Sequence, residues 1–522
     1  MKLRSLATTL VALLTLAPPA ATVAAVTLAA PSVAAAQAKT KRPARRTTTR
    51  RRTPARAAAA PAAPMWTRPR GAPALASDLG AILSRREDGR WGAMVVSITR
   101  GDTLFSVAPD EPRTPASTLK MFTSVLALDR LGPNWQFRTE VLRDAPVGGD
   151  GTVQGSLYLR GDGDPSLSKR FVPGPGLDAP MQALAAKVAA AGVRHVTGDL
   201  VADASAFESR TIPEGWLSRY AGSGYAAPFS ALSLNENIVV VAVYPDGRVL
   251  LEPATTGIPV QNQVRVTGGG GSALHIYRAT DGSVIARGSI GRSGAVKRLQ
   301  LTVGDPPLFT AGALRAALAS QGVTVDGKLR MGTTPATGTV VATNESAHLS
   351  DLLSAMNRES INHFAELIFR DAARGPKRDS LGSAATGNAL LQRFLTQKVG
   401  AAPGAASVTD GSGLSVLDRV TPRAMVQLLS YAHKAPWSSA FHASLPVAGE
   451  SELMRHRMIA TPAAGNLHAK TGTTNDVIGL GGYVTAENGE VLAFSFLFNG
   501  RDRWNARATI DRMGATMAAF SR

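Results

Sequence analysis

The sequence predicts an α+β protein in which an antiparallel sheet flanked by helices carries a long strand-rich insertion. Three observations support this class. A hairpin pattern and an amphipathic helix follow each other between residues 91 and 131, strand patterns dominate residues 144–343, and helical patterns return after residue 349. We see no internal repeat of fixed period.

The early part of the chain predicts a hairpin and then a helix. Residues 91–99 (WGAMVVSIT) and 103–108 (TLFSVA) have strand patterns on either side of a turn. Residues 114–116 (TPA) then open a helix from Ser117, in which apolar side chains recur at helical spacing: Leu119, Phe122, Val125 and Leu126.

The middle and end of the chain differ in pattern. Residues 144–343 contain alternating segments separated by turn signals such as Asp246-Gly247 and Asp281-Gly282, with one helix at about 311–320. After two helical segments, residues 477–498 predict a closing hairpin and residues 504–520 a final helix.

Positive charge is concentrated at the N-terminus of the 522-residue chain. The 57 Lys and Arg exceed the 38 Asp and Glu by 19, but residues 1–70 hold 13 basic residues and no acidic one. Residues 71–522 therefore carry a balance of only +6, so the overall charge does not indicate nucleic-acid binding. The absence of cysteine excludes disulfides, cysteine-ligated zinc, iron–sulfur clusters and thiol nucleophiles.

The N-terminal residues predict export. Lys2 and Arg4 precede an apolar stretch, and Ala36-Gln37-Ala38 fits a signal-peptidase site. We therefore predict a signal peptide over residues 1–38 and a location in the periplasm or cell envelope. Retention of the stretch as a membrane anchor is the alternative, although Pro18, Pro19 and Pro31 interrupt it.

A basic tether follows. Residues 39–64 carry nine Lys and Arg, no acid and no large apolar residue, so residues 39–73 are predicted to be a disordered Pro/Ala/Arg-rich segment. It is either a solvated spacer or a weak electrostatic contact with anionic envelope polymers or lipid headgroups.

The first chemical motif is Ser117-Thr118-Leu119-Lys120, which places a hydroxyl and an amine one helical turn apart. A lysine whose ammonium is disfavoured by burial or by nearby positive charge can take the proton of a serine nucleophile. The pattern is common, and Ser166-Leu167-Ser168-Lys169 also matches it, but in a loop context with no helix to fix the spacing.

Two further motifs follow in order. Ser360-Ile361-Asn362 lies between two helical segments and supplies a hydroxyl that can relay a proton and an amide that can bind a carbonyl. Lys470-Thr471-Gly472-Thr473 reads as a strand whose Lys470 and Thr471 could hold a carboxylate, while Gly472 would let a substrate backbone approach. Each motif alone is weak, but their order in an exported chain makes coincidence improbable.

In these motifs the chain resembles the penicillin-recognising serine enzymes. Within them it is similar to the class C low-molecular-mass penicillin-binding proteins, the D-alanyl-D-alanine carboxypeptidase/endopeptidase family, over about residues 75–520. Further segments that read like signatures of the family are TPASTLKMFT at 114–123, LYLRGDGDPSL at 157–167, DASAF at 203–207, DGSGLS at 410–415, SLPVAG at 444–449 and HAKTGT at 468–473.

The resemblance implies a transpeptidase/β-lactamase-like catalytic domain with two nested, strand-rich insertions in the 243-residue gap between Ser117 and Ser360. We place the boundaries in chain order. The catalytic domain is predicted at 74–143 and 344–522, the first insertion at 144–166 and 240–343, and the second, nested insertion at 167–239.

The resemblance also implies roles for individual residues. Ser117 would be the nucleophile and Lys120 its general base, Ser360 would pass the proton toward the leaving amine, and Asn362 would orient the peptide. The reaction implied is hydrolysis of a D-Ala–D-Ala bond, or of a D-alanyl cross-link in peptidoglycan, through a serine ester. β-Lactam antibiotics would be covalent inhibitors, and neither a cofactor nor a metal is implied.

The remaining site residues implied by the resemblance bind substrate. Lys470, Thr471, Gly472 and Thr473 would hold the terminal carboxylate and complete the site, with the N–H groups of Ser117 and Thr473 as an oxyanion hole. Asp203 falls where the family places an acid near the side-chain amine of the stem peptide, although a structural turn aspartate is the alternative.

Other interpretations stay open from the sequence. A β-lactamase shares the acylation chemistry, although the long insertion argues against it, and a catalytically silent wall-binding or assembly protein is a second alternative. His363 and Glu366 lie one helical turn apart, but without an HExxH pattern we expect ordinary helix residues rather than a metal site. The absence of a G-x-S-x-G motif argues against an α/β-hydrolase.

Overall fold

The computed structural model describes residues 66–84 and 88–522. The predicted signal peptide and residues 39–65 of the predicted tether lie outside the described residues. No helix in the described ranges is long and apolar enough to cross a membrane. The helices are α1 Ala72–Leu83, α2 Lys120–Leu131, α3 Ala179–Ala190, α4 Pro306–Ser320, α5 Leu349–Glu359, α6 Asn362–Arg374, α7 Ala384–Phe394, α8 Pro422–Lys434, α9 Ser438–Ser444 and α10 Arg503–Ala518.

Strands occur in three stretches of the chain. The first holds β1 Gly89–Ser97 and β2 Thr103–Val107. The second holds β3 Arg138–Arg143, β4 Thr152–Val153, β5 Leu157–Gly161, β6 His195–Val196, β7 Leu200–Asp203, β8 Ile238–Val243, β9 Val249–Glu252, β10 Val260–Thr267, β11 Ser272–Arg278, β12 Val284–Gly291, β13 Lys297–Thr302, β14 Thr324–Val325, β15 Leu329–Met331 and β16 Thr339–Glu345. The third holds β17 Ala406–Ser407, β18 Arg419–Val420, β19 His468–Thr473, β20 Val477–Thr485 and β21 Val491–Gly500.

A five-stranded antiparallel sheet joins the two ends of the described chain. Its order is β19-β20-β21-β1-β2, so the early hairpin pairs with the closing hairpin. Both predicted hairpins and the final helix are confirmed. The α+β class and the antiparallel sheet flanked by helices are confirmed as well, and β19 forms one edge of this sheet.

The sheet is buried on both faces, which follows from the alternation of side chains along a strand. On β21, Phe494 and Phe496 pack into a cluster with Leu75 of α1 and Ile510 of α10. Leu497 points the other way, into a larger cluster built from α2, α5, α6, α7 and α8. The site motifs on α2, α5 and α6 therefore rest on one side of the sheet, against its buried core.

The strand-rich middle forms separate sheets. Strands β15-β7-β5-β3-β16 make a five-stranded sheet packed against α3 and α4, whereas residues 238–302 form two three-stranded sheets, β13-β8-β9 and β10-β12-β11. In this sheet β7, predicted to lie in the nested insertion at 167–239, is hydrogen-bonded to β5 of the first insertion, and α3 packs against β16. Hydrogen bonds between strands that are far apart in the sequence decide which strands share a sheet, and the order of strand patterns along the chain does not reveal these partners.

The predicted tether ends earlier than expected. Residues 66–73 are ordered against the C-terminus: the Gly71 N–H donates to the Ser521 carbonyl at 2.8 Å, and α1 begins at Ala72. The basic composition around Arg68 and Arg70 is compatible with order here because both side chains pair with Glu487.

Residues of the inserted segment hold α6 along its length. Arg370 is fully buried between Glu366 and Glu208 and lies 4.1 Å from the centre of the Phe229 ring. One turn further, Arg374 pairs with Asp162, which follows β5. These contacts fix the helix whose first residue is Asn362.

Candidate active site

Ser117 and Lys120 lie where a tight turn becomes a helix. Residues 116–119 form one turn of 3-10 helix, and Lys120 is the first residue of α2. Residues three apart are nearly eclipsed in a 3-10 turn, so the two side chains lie side by side. The Lys120 Nζ is 2.9 Å from the Ser117 Oγ. Ala116, directly before the serine, has φ of 46°, a strained value for a residue with a side chain.

The Lys120 amine is completely buried and has three hydrogen-bond acceptors. Besides the Ser117 Oγ, it contacts the Asn362 Oδ1 at 2.6 Å and the Ser412 carbonyl oxygen at 2.7 Å. Burial lowers the pKa of Lys120 to about 7, although nearby carboxylates oppose the shift. The amine can therefore exchange a proton with Ser117 near neutral pH.

Three buried carboxyl groups surround this amine and were not predicted as site residues. Burial, and then repulsion from Asp410, raise the pKa of Glu366 to about 7, although the ion pair with Arg370 opposes the shift. Burial and the neighbouring Asp410 also raise the pKa of Asp418 well above its usual value. The DGSGLS segment was the available signal, because an Asp followed by Gly and Ser is typical of a turn organised by its carboxylate.

Asp410 organises that loop. Its carboxylate accepts N–H groups from Ser412 at 2.9 Å, Gly413 at 2.6 Å and Ser415 at 2.8 Å, and the Trp216 indole N–H at 2.8 Å. This turn aims the Ser412 carbonyl at Lys120.

Ser360 and Asn362 flank the junction of α5 and α6. Ser360 ends α5 in a left-handed conformation, with φ of 60°, and Asn362 begins α6. The amide of Asn362 accepts from Lys120 and donates to the Tyr225 carbonyl at 2.8 Å. One of its two N–H donors is left for a ligand.

Lys470 approaches Ser360 from the edge strand β19. Its Nζ lies 3.0 Å from the Ser360 Oγ and 3.0 Å from the Thr471 carbonyl oxygen, and the side chain is fully buried. Burial, and then repulsion from Lys120, place the pKa of Lys470 well below its usual value. Thr471 of the same motif is half-buried and Thr473 is exposed, and the contact of Lys470 with a carboxylate stays a prediction.

Gly472 lies against the turn that carries Ser117. A Cβ at this position would lie 2.6 Å from the Pro115 carbonyl oxygen, so the missing side chain admits this turn. The approach of a substrate backbone to Gly472 stays a prediction. Gly472 pairs across the sheet with Gly479, which faces Thr118 in the same way. Because these two neighbouring glycines have no side chains, the turn that carries Ser117 can pack closely against the sheet.

A cleft of about 460 Å³ opens over these residues. Ser117, Ser360 and Asn362 line it from the helical side, and Thr471–Thr473 line it from the strand. The structure therefore brings three separate sequence motifs to one cavity, as the sequence predicted.

Asp203 does not line this cleft. It ends β7 and accepts the backbone N–H of Ser205 at 3.0 Å and of Thr334 at 2.7 Å. Burial favours its neutral form, but these hydrogen bonds outweigh burial and lower its pKa. The geometry matches the turn-aspartate alternative, and a contact with the stem peptide stays a prediction.

The remaining candidates have other partners. His363 contacts Asn237 at 3.1 Å, and burial lowers its pKa to about 3, whereas Glu366 binds the Gly411 N–H and Arg370. Within residues 66–84 and 88–522, no cluster of three or more His, Asp or Glu could hold a metal. In the second S-x-x-K, Ser166 donates to Asp164 at 2.7 Å.

The fold and this cleft define a serine hydrolase in which lysine, rather than histidine, contacts the nucleophile candidate. A family model described as the D-Ala-D-Ala carboxypeptidase 3 (S13) family matches residues 75–520. The chain belongs to this family and is a serine-type D-alanyl-D-alanine carboxypeptidase of the penicillin-binding class.

Relatives extend over most of the chain. A D-alanyl-D-alanine carboxypeptidase of an Actinomadura species is 35% identical over 472 residues, 86% of this chain and 85% of that protein. A D-alanyl-D-alanine carboxypeptidase of Haemophilus influenzae is 28% identical, covering 74% and 80%. The crystal structure of penicillin binding protein 4 from H. influenzae matches with a TM-score of 0.69 and 25% identity over 84% of this chain and 97% of that one.

We predict that Gly413→Ala disrupts the site. Gly413 has φ of 79°, and an added Cβ would overlap the carbonyl oxygen of Ala116, next to Ser117. Gly400→Ala is the matched control, because Gly400 has φ of 77° with open space around it. The control should lose about 1–2 kcal/mol of unfolding free energy from backbone strain alone. Gly413→Ala should lose more and label poorly with a fluorescent penicillin, and equal effects of the two changes would contradict this packing.

Proposed function

We propose that Ser117 is the nucleophile of a peptidoglycan D,D-peptidase with Lys120 as its general base. The observation that carries the proposal is the 2.9 Å contact between the Ser117 Oγ and a fully buried amine of pKa about 7, in a chain of the D-Ala-D-Ala carboxypeptidase family. Substrates are peptidoglycan stem peptides, and β-lactams bind covalently at the same site.

Acylation begins with proton transfer from the Ser117 Oγ to the Lys120 Nζ. The oxygen attacks the carbonyl carbon of the penultimate D-alanine, and the backbone N–H groups of Ser117 and Thr473 stabilise the resulting oxyanion. Asn362 is poised to bind the substrate carbonyl with its remaining N–H. The strain at Ala116 and Ser360 is consistent with residues held in place for chemistry rather than for stability.

Release of the leaving amine requires a proton on the other side of the cleft. Ser360 passes to the leaving nitrogen the proton that Lys120 took from Ser117, so Lys120 becomes neutral again, while the Lys470 Nζ, 3.0 Å from the Ser360 Oγ, orients this hydroxyl by donating a hydrogen bond to it. Water then attacks the serine ester and gives a proton to the neutral Lys120. Lys120 returns that proton to the Ser117 Oγ as the ester bond breaks, and the peptide leaves as a carboxylic acid that ionises in water.

The same cycle serves two substrates. When the leaving group is free D-alanine, the enzyme is a carboxypeptidase; when it is a diamino acid of a second strand, the enzyme is an endopeptidase. The cleft is open rather than enclosed at its surface end, where Tyr225 and Leu453 are exposed, and this leaves room for an extended leaving strand.

We further propose that the chain is exported and that residues 39–64 touch anionic envelope polymers or lipid headgroups. The support is the nine Lys and Arg in this segment with no acidic residue. Placement outside the cytoplasm also matches a peptidoglycan substrate.

Ser117→Ala should abolish labelling by a fluorescent penicillin and reduce release of D-alanine from uncross-linked muropeptides, and cleavage of cross-linked ones, by about a thousand-fold or more. Mass spectrometry of the products separates the two reactions. Circular dichroism should show a folded protein.

Ser166→Ala, in the second S-x-x-K, is the control and should keep both labelling and turnover. Turnover by folded Ser117→Ala would overturn the assignment. Loss of the penicillin label from the wild type within seconds would favour a β-lactamase instead, and no turnover by the wild type would favour a silent binding protein.

The rate of penicillin acylation should rise about ten-fold from pH 6 to pH 8, because a base of pKa about 7 is mostly protonated below that pH and mostly neutral above it. Stopped-flow acylation gives this profile, and the thermal unfolding midpoint at each pH controls for folding. A rate that is flat or falls as pH rises would contradict the role of Lys120.

Deletion of residues 39–64 should reduce binding of the mature protein to purified cell walls or anionic vesicles in low salt, and added salt should weaken wild-type binding in the same way. Muropeptide turnover in solution should not change. Equal, salt-independent binding of both proteins would leave this segment as a spacer.

A further inference from the structure

Three arginines line the cleft beside the proposed nucleophile and have no role in the chemistry described above. Arg503 and Arg507 lie one turn apart on α10, and Arg457 lies in the loop before β19. They share the cavity with Ser117 and with Thr473. The cleft therefore has a strongly basic wall at one end.

The three guanidinium groups differ in their partners. Arg457 is almost fully buried and paired with Asp511 at 2.5 Å, and Arg503 donates to the Thr474 carbonyl at 2.6 Å. Arg507 forms no ion pair or hydrogen bond within the described residues. Burial, and then repulsion from Arg457, lower its pKa, whereas attraction from Asp511 opposes the shift. Asp511 is already paired with Arg457, so it is shared between two guanidinium groups.

The other charged groups of the cleft, Lys470 and Glu359, neither add to the positive charge that a ligand would meet nor neutralise it. Lys470 is fully buried and donates to Ser360 and Thr471, so it does not present positive charge to a ligand. Glu359 also lines the cleft but is paired with Arg170 at 2.5 Å. The accessible positive charge in the cleft therefore comes from Arg503 and Arg507 on α10.

The position of this wall indicates which part of a substrate meets it. The contact between Arg503 and the Thr474 carbonyl places α10 directly beyond Thr473, at the end of β19. The family resemblance implies that the motif Lys470–Thr473 holds the terminal carboxylate, which belongs to the leaving residue. The arginines therefore lie on the leaving side of the scissile bond.

We propose that Arg507, supported by Arg503 and Arg457, binds a carboxylate on the leaving side of the substrate and is a specificity-determining residue of this enzyme. A guanidinium can bind both oxygens of a carboxylate, and such charge-assisted hydrogen bonds are among the strong ones in proteins. The inference rests on the proposed function, because that function defines the leaving side.

Two sources could supply this carboxylate. One is the α-carboxylate of a terminal D-alanine, shared with the threonines of β19. The other is a carboxylate further along the leaving strand of a cross-linked substrate. The first source favours carboxypeptidase activity, and the second favours endopeptidase activity.

The test compares three substrates with the wild type, Arg507→Gln and Arg501→Gln. The substrates are a peptide ending in D-Ala–D-Ala, its C-terminal amide, and a cross-linked muropeptide dimer. Arg501 is exposed and does not line the cleft, so Arg501→Gln removes the same charge as a matched control. The readouts are kcat and KM for each pair, with thermal unfolding to verify folding.

Arg507→Gln should raise KM for the free-carboxylate peptide or the dimer roughly ten-fold, as expected for loss of a hydrogen bond to a charged group, with little change in kcat. The amide should react equally with both proteins. An effect limited to the acid peptide assigns the terminal carboxylate, and an effect limited to the dimer assigns a carboxylate further along the strand.

Binding to the inactive protein separates this inference from the proposed function. In the Ser117→Ala background, calorimetry should show weaker binding of the acid peptide or of the dimer after Arg507→Gln and unchanged binding after Arg501→Gln. A loss of the same size for the amide as for the acid peptide and the dimer, or no effect on any substrate, would overturn the role of Arg507. Failure of the proposed function would show separately, as a wild type without turnover.

Discussion

Burial of the Lys120 amine is the constraint on which the rest of this site depends. A lysine amine removed from water must be satisfied by the protein, and here three acceptors from distant parts of the chain meet it: the Ser117 Oγ, the Asn362 Oδ1 and the Ser412 carbonyl. Each acceptor needs its own support. The serine lies on a 3-10 turn pressed against a pair of glycines, the amide begins α6, and the carbonyl belongs to a loop wound around Asp410.

Two opposing effects set the protonation state of this amine. Burial favours the neutral lysine, whereas Asp410, Glu366 and Asp418 favour the ammonium. Because Glu366 and Asp418 themselves have raised pKa values, the cluster can change its protonation without an isolated charge in the core. The resulting pKa of Lys120, about 7, suits a general base at neutral pH better than a much higher or a much lower pKa would. Such clustering of buried ionisable groups lowers stability and is typical of functional sites.

The inserted segment is also part of the site's support. Glu208 and Phe229 enclose the Arg370 guanidinium on α6, Asp162 pairs with Arg374, and the Tyr225 carbonyl accepts from Asn362. These contacts hold α6 in place, so that Asn362, its first residue, stays within hydrogen-bond distance of Lys120. The long interval between the first two motifs thus contributes directly to the geometry of the catalytic cleft.

The residue pattern alone indicated the α+β class and both hairpins of the main sheet, because these depend on local periodicity. It also marked three short motifs, whose meeting in one site was implied by the family resemblance rather than by local spacing. Tertiary structure decided what local patterns do not encode. Partner choice among strands set the boundary between the inserted sheets, and packing turned Gly472 toward Pro115. Burial gathered Glu366, Asp410 and Asp418 around Lys120 and left Arg507 facing the cleft. Burial and long-range pairing are properties of the folded chain, so the charge state of the site follows from the fold rather than from any motif.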